Sequence, residues 1–240
     1  MEQDVWTPYC GAAPKPSDLW TSWNLDPVLL AVLAAATLAI ILRLRARERA
    51  FGIAAMGVLA ISFVSPLCAL SSALFSARTV HHVLLVGAAA PLLACATPTR
   101  RAGPLALMLA LQTAVLWGWH APAAYGAALS DDLTYWLMQL SLLGASVLFW
   151  RSVAAASAPA SIGVLLAAMI AMGLLGAVLT FADLPLYAPH LLTTTAFGLT
   201  PLEDQQTAGL LMWAPASAIY LIAALLRLNR LLAPAKVMAA

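Results

Sequence analysis

Apolar residues run along this chain in seven long blocks, at 26–42, 51–74, 79–96, 104–119, 133–150, 161–181 and 207–226, with short polar stretches between them. Each block approaches the roughly 20 residues that a helix needs to cross about 30 Å of hydrocarbon. The pattern predicts an all-α polytopic membrane protein, a bundle of seven transmembrane helices. Pro66, Pro91 and Pro215 fall inside blocks, where neighbouring groups can re-satisfy the freed carbonyls and a kink is tolerated. Abundant Ala and Gly predict close helix approach. The blocks divide the chain into an external segment at 1–25, a transmembrane domain at 26–229 and a cytoplasmic tail at 230–240.

Composition agrees with this reading. Apolar residues make up 63% and charged residues 9%, against a soluble norm of roughly 25% charge, and little chain is left over for a soluble domain. Charge then orients the bundle. Arg43, Arg45, Arg47, Arg49, Arg100, Arg101, Arg151, Arg227, Arg230 and Lys236 share one side, and only Lys15 and Arg78 lie opposite. Among the acids only Glu48 joins the basic side. Basic loops stay in the cytoplasm, so the N-terminus is expected outside and the C-terminus inside a bacterial plasma (inner) membrane. Residues 1–26 carry neither a basic n-region nor an apolar h-region, so no signal peptide is expected in them.

Candidate chemistry gathers at the outer ends. His81 and His82 open the third block, His120 closes the fourth, and Cys68 lies near the outer end of the second. Asp204 and Met212 flank the outer start of the seventh. Imidazole, thiolate and thioether suit copper, above all the reduced ion, and a carboxylate widens the choice. His82 and His120 are the expected principal ligands, with Asp204 third as a ligand or as an acceptor that orients an imidazole. Cys68, Met212 and His81 complete the candidate set. His81 points about 100° away from His82 on a helix and does not share its ion. His190, in an external loop, reads as a hydrogen-bonding residue. Cys10, Cys68 and Cys95 are far apart, so no disulfide framework is expected, and Cys95 is expected to pack as a small apolar residue. The polar run Thr200–Gln206 caps the last helix or lines an outer cavity. There is no HExxH, glycine-rich phosphate loop or visible nucleophile–base pair, so an enzyme is not expected.

Several stretches resemble one family. These are Trp23-Asn24-Leu25-Asp26-Pro27, Trp119-His120-Ala121-Pro122-Ala123-Ala124-Tyr125, Leu179-Thr180-Phe181 with Pro185-Leu186-Tyr187, and Pro201-Leu202-Glu203-Asp204-Gln205-Gln206 running to Leu211-Met212-Trp213. Together they resemble the membrane-embedded cytochrome c oxidase assembly factors called CtaG, of the caa3 type, over most of the chain. In that family the third helix usually begins with two histidines four apart. Here His82 matches the later one, and Arg78 takes the earlier place. His81 stands where glutamine is common, and Gln139 replaces a histidine of the fifth helix. His120 and Asp204 match.

The resemblance implies a non-enzymatic assembly factor for haem–copper oxidase that handles or delivers copper at the outer face. Cytochrome c oxidase subunits or copper chaperones would be its partners, with no nucleic acid involved. Two other roles remain open on the sequence: a b-type cytochrome holding haem between His82 and His120, and a metal-free structural chaperone for an oxidase subunit.

Overall fold

The computed structural model describes residue 6 and residues 8–97 and 102–233, and each of the seven apolar blocks coincides with helix in it. Arg100, Arg101, Lys236, Glu2, Asp4 and positions 234–240 of the expected tail lie outside the described residues. The helices are α1 (Pro27–Arg43), α2 (Ala46–Phe63), α3 (Pro66–Ala73), α4 (Phe75–Ala96), α5 (Leu105–Trp119), α6 (Pro122–Ala128), α7 (Asp132–Ala155), α8 (Ala158–Thr180) and α9 (Pro201–Leu232). No strand occurs among the described residues. Helices α4, α7, α8 and α9 are long and apolar enough to cross a bilayer, and α2 with α3 makes a fifth if that bent pair counts as one span. At 17 and 15 residues, α1 and α5 are shorter than a typical span.

Polarity is arranged inside out. On α8, Leu166, Ile170, Leu174 and Val178 form an exposed stripe, while Leu165, Met172, Leu175 and Leu179 are buried. The interior holds Arg78, His81, His82, Gln112, His120, Gln139 and Asp204. A multi-pass membrane protein accounts for this distribution, because the outward-facing solvent is hydrocarbon.

The prolines Pro66, Pro91 and Pro215 leave two kinds of mark. At Pro66 the chain bends by 45° between α2 and α3, and the Ser65 hydroxyl accepts from the Leu67 N–H at 3.2 Å to start the new helix. Around Pro91 and Pro215 the helices instead widen into π turns, at Leu85–Ala89 and Met212–Ala216. A π ladder would have the Val86 carbonyl accept from residue 91, and proline has no N–H. The Trp150 indole donates to that carbonyl at 2.9 Å instead.

The expectation of unpaired cysteines is corrected at one place. Cys10 and Cys68 form a disulfide that ties the N-terminal segment to α3. Sequence spacing could not reveal the pair, because 58 residues separate the two cysteines. Beside it, Tyr9 stacks on Tyr135 at 5.1 Å. Cys95 departs from expectation too, being exposed.

Helices α8 and α9 cross with almost no space between their backbones. A Cβ added at Gly176 would lie 2.7 Å from the Gly209 carbonyl oxygen and from the Trp213 nitrogen. One added at Gly209 would lie 2.6 Å from the Gly176 oxygen and the Thr180 nitrogen. Besides the Thr180 hydroxyl next to Gly209, the obstacles are backbone atoms, which no rotamer change relieves. Gly209→Ala is therefore expected to destabilise the protein by roughly 3 kcal/mol, the upper range for overpacking. Gly57→Ala, where nothing lies within 4 Å, should leave thermal unfolding in detergent unchanged or slightly raised.

Candidate functional site

The start of α4 determines where the histidines go. Leu74 adopts an extended conformation and separates α3 from α4, which leaves the first amides of α4 without intrahelical partners. Asp204, fully buried on α9, receives the Phe75 N–H at 2.6 Å and the Ser76 N–H at 3.2 Å. It also receives the Ser76 hydroxyl. One carboxylate thus caps a different helix, and the register of α4 carries His81 and His82 into the interior.

His120 is set by the end of α5 and by the Ala121-Pro122 step. As the C-cap residue its N–H bonds the Trp117 carbonyl at 3.1 Å, and Ala121, preceding Pro122, leaves the helical region. The His120 Nδ1 lies 2.7 Å from the Leu116 carbonyl. A carbonyl only accepts, so Nδ1 carries the proton and Nε2 keeps its lone pair. That Nε2 is buried without a hydrogen-bond partner, as are both nitrogens of His82. The two rings lie 5.6 Å apart, nearly perpendicular.

Helices α4, α5, α8 and α9 enclose a crevice beside these rings. Thr79, His82, His120, Met172 and Met212 line it, with Val83, Val86 and Leu116. It has no room for a water-sized sphere. Two histidines with unengaged ring nitrogens and two methionines therefore line one narrow space. Both π turns adjoin it: Met212 begins one, and His82 lies a turn ahead of the other. Such turns recur at functional sites. An aromatic cluster lies beside His120. Phe75 stacks on Tyr187 at 3.8 Å and meets Tyr125 edge-on at 5.2 Å, and the Tyr187 hydroxyl donates to the His120 carbonyl at 2.8 Å.

The sequence profile of cytochrome c oxidase caa3 assembly factors matches residues 36–233. The chain belongs to that family. Neither the curated proteins nor the solved structures offer a match to it.

In this caa3 assembly factor the separate sequence motifs meet around the crevice. Tyr187 holds His120, Tyr125 holds His190, and Gln205 receives the Leu186 N–H at 2.7 Å. Glu203 and Thr200 form a reciprocal cap on α9. The polar run Thr200–Gln206 thus acts as caps and braces.

Of the candidate ligands, the structure brings together His82, His120 and Met212. Met172 was missed, because a methionine on an apolar helix gives no sign of what it faces. Asp204 is saturated by the start of α4 and does not line the crevice. Among the described residues no group of three or more His, Cys, Asp or Glu is placed to hold a metal. Cys68 has its sulfur in the disulfide and offers no thiolate. His81 lies edge-on to Phe63 at 4.8 Å, away from the crevice.

Arg78 and Gln139 sit behind the histidines. The Arg78 guanidinium is 5.3 Å from the centre of the Tyr135 ring and interacts with the Tyr125 and Tyr135 phenols, though none of its nitrogens makes a well-formed hydrogen bond. It does not line the crevice; Thr79 does.

His190 is a braced structural residue. Its Nδ1–H donates to the Ala73 carbonyl at 3.3 Å and its Nε2 accepts from the Tyr125 hydroxyl at 2.7 Å. Burial first, and the charge of Arg78 second, push its pKa down to about 3. The unfolded chain, at about 6.5, binds the proton more readily, so stability falls as pH drops below 6.5 and is lost progressively towards pH 3. Between pH 7.5 and pH 5 this group alone should cost about 2 kcal/mol. Thermal unfolding at those two pH values should show a smaller acid loss for His190→Gln than for the wild type.

Proposed function

We propose that this caa3 assembly factor is a non-catalytic copper carrier. It holds Cu(I) between His82, His120, Met172 and Met212 and hands it to a cytochrome c oxidase subunit, or receives it from a copper chaperone, at the outer face of a bacterial plasma membrane. The observation that carries the proposal is the crevice itself, lined by two histidines with unengaged ring nitrogens and by two methionines. Thioether and imidazole form a soft, neutral donor set, which suits Cu(I) better than the harder divalent ions. A dry, tight crevice also suits an ion that sheds its water. Haem fits poorly, because a macrocycle finds no place in a space too narrow for water. A metal-free chaperone is the remaining reading, and the buried cation Arg78 is the observation in its favour.

The topology proposed with this role has all seven blocks crossing the bilayer, residues 1–25 outside and 230–240 in the cytoplasm. Two observations support it. Basic residues gather at one end, and the Cys10–Cys68 disulfide lies at the opposite end, as an oxidising compartment would favour. A cysteine introduced at Asp131 should react with an impermeant thiol reagent on intact cells, and one at Ala46 only after permeabilisation. Reversed labelling would refute the orientation.

Affinity for Cu(I), measured by competition with a chromogenic chelator, should fall at least tenfold in His82→Ala and in His120→Ala. Met172→Leu with Met212→Leu should produce a comparable loss, and His190→Ala little change. Deletion of the gene should lower the haem–copper oxidase signal in membranes under copper limitation, with rescue by added copper. An absence of copper in the purified protein, together with unchanged affinity in the His82–His120 double variant, would leave the metal-free chaperone.

A further inference from the structure

At the basic end of the bundle, Arg47 from the start of α2, Arg151 from α7 and Arg230 from the last turn of α9 line one cavity of about 480 Å³. Arginines at helix C-termini complement the helix dipole and ordinarily splay into water. Here three from different helices converge, and one of the three belongs to a helix N-terminus, where the dipole disfavours it. The Arg151 Nη2 is held by the Thr97 hydroxyl, while its Nε is buried without a hydrogen-bond partner. Glu48 is the acid on the lining, and its carboxylate is engaged at the Arg45 N–H, 3.5 Å away. The cavity therefore carries a net positive charge. Phe51, Ala94 and Ala154 make part of its wall apolar.

We propose that this cavity binds a phosphate group, supplied by the headgroup of an anionic phospholipid of the phosphatidylglycerol or cardiolipin type. Guanidinium groups present forked donors that match phosphate oxygens, and three of them neutralise more than one phosphodiester charge. Free phosphate would need no apolar wall, whereas a lipid anchors its glycerol and first methylenes there. Basic pockets between helices on the cytoplasmic side are a recurrent setting for such headgroups. This site lies at the opposite end of the bundle from the crevice and is independent of the copper reading.

The test uses the full chain in neutral detergent, with thermal unfolding and native mass spectrometry. Phosphatidylglycerol and cardiolipin should raise the melting temperature and stay bound, and phosphatidylcholine should do neither. Arg151→Gln should weaken binding roughly fivefold, and the Arg47, Arg151 and Arg230 triple glutamine variant roughly a hundredfold, from the usual contribution of one arginine near an anionic surface. Arg43→Gln with Arg45→Gln, outside the cavity, should leave binding intact. If the triple variant fails to fold, Arg230→Gln alone should still show the fivefold loss. Equal stabilisation by phosphatidylcholine, an equal response to inorganic phosphate, or an equal loss in the Arg43–Arg45 control would each overturn the proposal.

Discussion

The Asp204 carboxylate has to satisfy the first turn of α4, and the rest of the site depends on it. Two buried backbone amides and a hydroxyl converge on that group. A buried N–H left without a partner costs about 1–3 kcal/mol, and charge-assisted bonds are roughly twice as strong as neutral ones. The chain therefore favours the arrangement in which α9 comes alongside α4. That contact fixes the axial position of α4, and with it the depth of His82 opposite His120. The close crossing at Gly176 and Gly209 then sets α8 against α9, which brings Met172 and Met212 to the same depth. A cap, a glycine contact and two π turns thus combine to bring His82, His120, Met172 and Met212 to one narrow space.

The buried polar groups divide into two kinds. Those that brace the fold are engaged: Asp204, Gln205, His190, Tyr187 and the Gln112–Tyr220 pair, whose amide donates to the phenol at 2.5 Å. Others have polar atoms without well-formed hydrogen bonds, and these include Arg78, Thr79, His81 and His82 on the first turns of α4 together with Gln139 and the Nε2 of His120. Native interiors rarely leave so many donors and acceptors unused together. Stability alone would have replaced them with apolar side chains. Polar groups are expensive in a membrane interior, and such clusters commonly mark a functional site.

Much of the helix pattern was readable from the sequence because hydrocarbon as a solvent requires long apolar runs. Every block fell on a helix, yet α9 begins at Pro201 instead of near 207, since a polar first turn projects beyond the apolar run. The closeness of His82 and His120, whose rings lie 5.6 Å apart, was also legible, as one stands near the start of α4 and the other at the end of the next long helix, α5. Asp204 caps the start of α4, a role that sequence does not separate from metal ligation, because a carboxylate beside histidines looks the same in either case. Met172 left no trace, since its role depends on which face of α8 meets α9. The Cys10–Cys68 bond was hidden as well, because it depends on where a loop folds back.

The disulfide has a consequence for α1. That helix buries Leu29 and little else, leaving Val28, Val32 and Leu38 exposed, so packing alone holds it weakly. The bond between residues 10 and 68 closes a covalent ring that includes α1 and α2. A peptide bond cut in the turn between those helices would therefore release neither piece. The covalent tether thus holds a thinly packed helix beside the aromatic cluster of Tyr9, Phe63 and Trp136, with which it shares an apolar pocket.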